Sequence, residues 1–413
     1  MPLIQPFAGL RPVPNQAAAV AAPPYDVLTT EEARTQASGR PWSFLHISKP
    51  EIDLPVGTDP YAPEVYIKAV DNLRRMLNEK VLVRDPSPCY YIYRIKIGDH
   101  VQTGLVAVAS VAEYDNNRIR RHEFTRPDKE DDRVRQIDAL NAQTGPVLLA
   151  YPTQPEIDSM LMLASAGKPD FEITADNGSI HSIWVVYDDA LITQLTAQFE
   201  TLPILYIADG HHRSAAASRV AAARRAANSH HNGNEGYNYF LSVIFPHHQM
   251  RILSYNRIVK NLRGLTAEEF LSRVGQYFNL EPSATTVYPA RHGEFGLYLP
   301  GSWYRLNIKP ERVPENDPVA RLDTSLLTDN LLTPILGIED LRRDQNIDFV
   351  GGSRAMTELQ ERVDSGKMAA AMTMSPTRMQ ELMDVADACQ VMPPKSTWFE
   401  PKLSDGLVSH VID

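Results

Sequence analysis

The 413-residue sequence has only two cysteines, Cys89 and Cys389, too few for a disulfide framework and too far apart for a metal-spaced set. They read as free thiols buried in a reducing compartment. No apolar run approaches the roughly 20 residues that a membrane-spanning helix needs. The opening stretch, Met1-Pro2-Leu3-Ile4-Gln5-Pro6, lacks the basic segment and apolar run of a signal peptide, so a cytoplasmic location is expected. An excess of positive charge is missing too. The net charge of -10 argues against a nucleic-acid-coating role, which needs a basic face or tail. G-x-G-x-x-G, G-x-S-x-G and Walker-type strings are absent, which removes the commonest dinucleotide, hydrolase and P-loop sites.

What is present is an ordinary globular composition, 43% hydrophobic and 22% charged, in a chain long enough for two or three domains. Pro23-Pro24-Tyr25-Asp26-Val27 cannot sit inside a helix, and Thr29 or Thr30 then reads as an N-cap. Apolar side chains at helical spacing predict an amphipathic helix over 63–80. The spans 89–97 and 102–111, joined through Gly98-Asp99, predict an antiparallel hairpin. Further strands are expected at 146–151, 180–188, 203–208 and 237–246, and a helix at 156–166. Thr266 caps another helix, strands follow near 296–308, and the tail from 323 to 390 reads as helix-rich. Strands and helices mix without strict alternation, so the expected class is α+β, with a soft boundary near residue 260 dividing 1–260 from 261–413.

The sharpest local feature is the strand Leu205-Tyr206-Ile207-Ala208 running into Asp209-Gly210-His211-His212-Arg213 and an alanine-rich helix. Glycine permits the tight turn. The first N–H groups of the helix have no partners inside it and carry the positive end of its dipole, so an anion there gains several donors at once. Arg213 adds a planar fork suited to phosphate, and two imidazoles add donors or a base. Asp209 offers a proton acceptor or a metal ligand. A plain acidic N-cap with surface histidines is the bland alternative. A shared metal on His211 and His212 is disfavoured, because adjacent helical side chains point about 100° apart.

The second feature is the charged stretch Arg120-Arg121-His122-Glu123-Phe124-Thr125-Arg126-Pro127, followed by Asp131 to Arg133. Glu123 is a candidate general base and equally a structural ion-pair partner. The third is Lys395-Ser396-Thr397, an ammonium and two hydroxyls stiffened by Pro393-Pro394, with an ordered tail as the alternative. Tyr25-Asp26, Asn256-Arg257 and Asp348 to Gly352 are weaker candidates.

Taken together these strings resemble one family. Pro24-Tyr25-Asp26-Val27, Arg121-His122-Glu123-Phe124-Thr125 and Ala208-Asp209-Gly210-His211-His212-Arg213 match it in order. So do Leu322 to Leu327, Ile347 to Gly352 and Met392-Pro393-Pro394-Lys395-Ser396-Thr397-Trp398-Phe399. The family is the bacterial domain-of-unknown-function family 1015, and the resemblance spans essentially the whole chain. Its Asp-Gly-His-His-Arg string is similar to the phosphate box of the ParB/sulfiredoxin-like superfamily. That superfamily includes partition proteins, sulfiredoxins and free-serine kinases. The resemblance implies a mixed-sheet ParB/sulfiredoxin-like core over 1–260, with an α+β, helix-rich C-terminal part over 261–413 closing over the site.

By the same resemblance the chain is a kinase that moves the ATP γ-phosphate to the hydroxyl of free L-serine, with Mg²⁺ bridging nucleotide oxygens. Asp209 or Glu123 would activate the hydroxyl, with His122 beside them. Gly210, His211, His212, Arg213 and Ser214 would hold phosphates. Arg121, Thr125, Asn256, Arg257, Lys395, Ser396 and Thr397 would form the substrate pocket. The rival expectation is a nucleotide-binding regulatory protein of ParB-like type. A metal-dependent hydrolase using His211, His212 and Asp209 is a third. The expected partners are nucleotide and L-serine, with neither membrane nor nucleic acid among them. The choice among ATP, ADP and pyrophosphate stays open, as does a homo-oligomeric state. The identity of any bound metal beyond Mg²⁺ is likewise unknown.

Overall fold

The computed structural model describes residues 1–352 and 355–413. These form two compact units, Met1–Met250 with Pro401–Asp413, and Arg251–Glu400. The boundary expected near residue 260 thus stands beside a division at Met250–Arg251. The closing segment belongs with the first unit for a visible reason. Asp405 and Ala22 exchange backbone hydrogen bonds of 2.8 and 3.2 Å, and His410–Val411 pairs antiparallel with Ala142–Gln143.

The first unit is built on a nine-stranded mixed sheet. Its order runs Ile119–Arg120, Leu205–Asp209, Val147–Tyr151, Tyr239–Pro246, His100–Ser110, Tyr90–Ile97, Ile180–Val186, Phe171–Thr174. Ile4–Gln5 pairs onto His100–Ser110 beside this path. Two neighbouring pairs are parallel, Leu205–Asp209 with Ile119–Arg120 and Tyr239–Pro246 with Val147–Tyr151; the rest are antiparallel. The expected hairpin is there, with Tyr90–Ile97 facing His100–Ser110.

The central strands Val147–Tyr151 and Tyr239–Pro246 are buried at every residue, so they read as continuous apolar runs without alternation. The helix His211–Ala227 buries Ala216, Ala217, Val220 and Ala221 in the same core as Leu149, Ile207 and Phe240. Its alanines are strong helix formers and small enough for close approach to the strands. Each fully buried Leu, Ile or Phe in this core contributes roughly 1.5–3 kcal/mol of transfer free energy. The helix Pro127–Leu140 starts with proline at its first turn, where the lost N–H would be unpaired anyway.

The second unit holds a six-stranded antiparallel sheet, ordered Phe278–Ser283, Ser302–Ile308, Glu294–Leu299, Ala370–Met374, Tyr255–Val259, Ile347–Gly351. Two of these strands lie inside the tail that reads as helix-rich. Ile347–Gly351 and Ala370–Met374 are five residues each, and Ala370–Met374 is buried throughout. A short apolar run without period-2 alternation does not distinguish a strand from a helix. The cysteine expectation also needs correcting. Cys89 is buried, but Cys389 is exposed, because it follows the helix Met379–Asp387 in a left-handed turn at φ 54°.

Candidate functional site

The turn at Gly210 has the strand–glycine–helix form that its sequence suggests. The strand Leu205–Asp209 carries a register shift between Ile207 and Asp209, a bulge at Ala208 just before its last pair, Asp209 with Leu148. Gly210 follows at φ 99°, and the helix starts at His211. Glycine is needed twice here. An L side chain disfavours that φ, and a Cβ would stand 3.1 Å from Arg213 Nε and 3.3 Å from the Val147 Cα.

Asp209 Oδ2 accepts from Lys402 Nζ at 2.9 Å, and its Oδ1 lies 3.7 Å from Arg213 Nη2. Burial alone would raise the Asp209 carboxyl. The Lys402 ammonium and Arg213 guanidinium outweigh it and hold the group well below the usual carboxylate range. Lys402 is itself held charged, since Asp209 outweighs its burial. Arg213 donates through Nη1 to the Pro146 carbonyl and stays charged against burial because Asp26 and Asp209 face it. One carboxylate and two cations therefore flank the N-terminus of a 17-residue helix.

The stretch 121–126 reaches the same turn. The backbone N–H of His122 donates to His211 Nε2 at 3.3 Å, and that of Arg126 donates to His212 Nε2 at 3.0 Å. The rings of His122 and His211 meet edge to face at 4.5 Å. Burial pushes the His122 imidazole down to about 4. His211 is lowered well below its ordinary value by burial and by His122, and His212 is lowered by burial. All three are neutral imidazoles near pH 7. Because His211 Nε2 accepts, its Nδ1 carries the proton, directed to Glu123 Oε2 at 3.9 Å. Glu123 keeps 43% of its side chain exposed, the most open acid of the group.

The other expected residues sort by their bonds. Ser214 is fully buried, and its hydroxyl donates to the His211 carbonyl at 3.1 Å, inside the helix. Thr125 Oγ1 donates to Glu130 at 2.8 Å. Arg121 lies over the Tyr114 ring at 5.4 Å. Asn256, Arg257, Lys395, Ser396 and Thr397 all belong to the second unit, where four of them have visible ties. Arg257 is buried and donates to the carbonyls of Tyr255 and of Lys395, the latter at 2.9 Å. Ser396 Oγ donates to Pro393 at 2.7 Å, and the Asn256 side chain accepts from the Met374 amide at 3.3 Å. Lys395 is exposed, with Nζ 5.4 Å from the Tyr255 ring centroid. Thr397 is half-buried.

For metals, His122, Glu123 and His211 offer ligand atoms all within 4.8 Å of one another, the one such group among the described residues. The triple His211, His212 and Asp209 is not gathered for an ion. The Arg126 amide occupies His212 Nε2, and Lys402 neutralises Asp209.

The sequence reading missed Lys402 and Asp405, which arrive from the far end of the chain. It also gave Tyr25 and Asp26 too little weight. Tyr25 lies against Arg133 at 3.9 Å, and Asp26 faces Arg213. An isolated Lys402 or Asp405 in a C-terminal segment carries no local signal.

No curated protein matches the chain. Among solved structures, a conserved hypothetical protein from Pyrococcus furiosus is similar at 13% identity and a TM-score of 0.36, over 74% of this chain and 95% of that one. A free serine kinase in complex with AMP is similar at 12% identity and 0.35, over 71% and 86%. SbnI with C-terminal truncation, from Staphylococcus aureus, is similar at 10% identity and 0.37, over 74% and 87%. The family described as protein of unknown function (DUF1015) matches residues 4–325, and the chain belongs to that family.

Proposed function

We propose that the chain is a small-molecule kinase that transfers the γ-phosphate of ATP to the hydroxyl of free L-serine, through a ParB/sulfiredoxin-like core. The carrying observation is the turn at Gly210. A helix N-terminus with Arg213 and Lys402 on either side of Asp209 forms a cationic cradle. Phosphoryl transfer needs positioning and charge stabilisation more than covalent help, and such a cradle provides both. The resemblance of the Asp-Gly-His-His-Arg string to phosphate boxes points the same way.

The two carboxylates take different roles in this reading. Asp209, held ionised by two cations, is too weak a base to take a proton and orients Lys402 and Arg213 instead. Glu123, open to solvent and facing the His211 Nδ1 proton, is the base. The serine oxygen attacks the γ-phosphorus, the bond from phosphorus to the bridging oxygen breaks, ADP leaves, and the hydroxyl proton passes to Glu123. His122, buried and neutral, fixes His211 through its backbone amide. Asp209 is neutralised by Lys402 and Glu123 serves as the base, so Mg²⁺ would be held by the nucleotide's own phosphates and by waters, which hard cations keep in such sites.

The test is nucleotide consumption by purified protein with Mg²⁺ and ATP, with and without L-serine, beside Asp209→Ala and Glu123→Gln. Serine-dependent ADP release that both substitutions abolish is the expected outcome. Nucleotide binding without turnover under any small hydroxylated amino acid would overturn the kinase reading. It would move the chain to the nucleotide-binding regulatory class.

A further inference from the structure

A hollow of about 660 Å³ opens in the first unit, and none of its lining residues belongs to the Gly210 turn. Its volume lies within the roughly 300–1,000 Å³ of small-molecule pockets. Four cations line it, Arg34, Arg40, Lys68 and Arg75, against two carboxylates, Asp53 and Asp71. The helix Pro63–Asn78 carries Lys68, Asp71 and Arg75 at spacings of three and four, which puts them on one face. Arg34 comes from the helix Thr30–Ala37.

Most of these charges answer one another. Arg40 pairs with Asp176 at 3.0 Å. Asp53 is engaged by His46 Nδ1 at 2.8 Å and by the buried Asn72 amide at 2.7 Å. Lys68 and Asp71 stand three residues apart on the helix, where opposite charges offset each other. Arg34 and Arg75 are left over. Arg34 donates to the carbonyls of Ile52, Glu51 and Leu54 at 3.1, 3.2 and 3.1 Å. Arg75 donates to the Pro41 carbonyl at 2.9 Å and lies over the Trp42 ring at 5.2 Å. Carbonyls and a ring fix a guanidinium in place without neutralising it. Both still have donors to give. Arg34 Nη1 and Arg75 Nε and Nη1 hold no partner among the described residues. Two anchored guanidiniums with uncommitted donors suit an oxyanion, which their planar forks bind through paired hydrogen bonds. Anchoring also leaves little side-chain freedom to lose when the anion arrives.

We propose that this hollow binds a small oxyanion-bearing molecule, its phosphate or carboxylate group received by Arg34 and Arg75, at a site separate from the Gly210 turn. The site stands whether or not the turn transfers phosphate.

Tryptophan emission tests it, because an anion on Arg75 changes the field at Trp42. The purified full chain is titrated with glycerol 3-phosphate, succinate and, as the neutral probe, glycerol. Trp42→Phe assigns the signal. Every titration is repeated in Arg213→Met, so that phosphate held at the turn does not count. At least one of the two anions is expected to bind saturably in both backgrounds, more weakly as salt is raised, and glycerol not at all. Arg75→Gln and Arg34→Gln should each weaken that anion at least tenfold, and Asp71→Asn should tighten it at least twofold. Arg34 also ties the turn at residues 51–54, so if Arg34→Gln melts early, Arg75→Gln on the open helix face decides alone. Preference for glycerol 3-phosphate or for succinate tells a phosphate site from a carboxylate site. No saturable anion binding to the unaltered protein overturns the proposal. So does equal binding of glycerol, binding that disappears in Arg213→Met, or an unchanged affinity in Arg75→Gln.

Discussion

Arg213 in the first unit and Arg257 in the second are both largely withdrawn from water, and they live in opposite electrostatic settings. Arg213 has carboxylates, Asp209 and Asp26, that keep it charged against the pull of burial. Arg257 has carbonyl partners, the Lys395 oxygen among them, and its Nε is unpaired among the described residues. Burial brings it down to about 9. The first arrangement keeps its cation charged beside a helix N-terminus, where an anion can be received. The second ties its donors to backbone carbonyls and holds a chain segment in place. Arg, Lys and Ser occur in both, so residue type does not separate the two settings; what the donors already hold does.

The widest separation between the two should come from removing each guanidinium. Arg213→Met is expected to raise the nucleotide Kd at least a hundredfold, as measured by titration, because phosphate loses its fork and Asp209 loses a partner. Arg257→Met should leave that Kd within twofold. A methionine there cannot donate to the carbonyls of Tyr255, Lys395 and Pro394, and buried acceptors left unpaired cost about 1–3 kcal/mol. Its denaturant midpoint should therefore fall. A raised KM for L-serine in Arg257→Met would break the comparison and bring the second unit into the substrate site.

Much of this contrast is legible in the sequence, and part is not. Asp209 to Arg213 announced itself because strand, glycine and helix signals meet within five residues, and local chemistry is what sequence patterns record. Histidines 122, 211 and 212 were visible as types, but their neutrality was not. It follows from burial and from backbone amides at His122 and Arg126, which no spacing rule encodes. Lys402 and Asp405 were invisible for a topological reason. They lie nearly 200 residues from the turn, and their role exists only because Asp405 pairs with Ala22 across the chain. The strands Ile347–Gly351 and Ala370–Met374 are hidden because neither alternates: the first buries only Ile347 and Val350, and the second is buried throughout.

A smaller effect sharpens the comparison through pH. Burial pushes the Asp405 carboxyl up to about 7, against an unfolded value near 3.8. The folded chain therefore binds more protons between those values, and this group lowers stability as pH rises from about 4 to 7 and then levels off, by roughly 4 kcal/mol at most. Buried His181 and His410, each lowered to about 4, act in the other direction. The unfolded chain takes up their protons first, so stability falls as pH drops from about 6.5 to 4. In the unaltered protein the two trends oppose each other. Asp405→Asn removes one of them, so its denaturant midpoint should fall more steeply than that of the unaltered protein between pH 6.5 and 4. Parallel curves would mean that Asp405 is already ionised in the folded chain, held so by the Arg213 and Arg133 guanidiniums.

The smallest effect belongs to Ser214, and it separates the face of the turn from its interior. Its position one residue after Arg213 suggests a phosphate hydroxyl, yet that hydroxyl donates back to the His211 carbonyl in a fully buried place. Such back-bonding within a helix contributes little, and an alanine there is a better helix former by a few tenths of a kcal/mol. Ser214→Ala should therefore shift stability by less than about 1 kcal/mol and leave nucleotide affinity unchanged. A Kd that rises tenfold instead would show that the hydroxyl turns outward when phosphate arrives. The first turn of the helix would then rearrange on binding, and the cradle at Gly210 would be an induced site and not a preformed one.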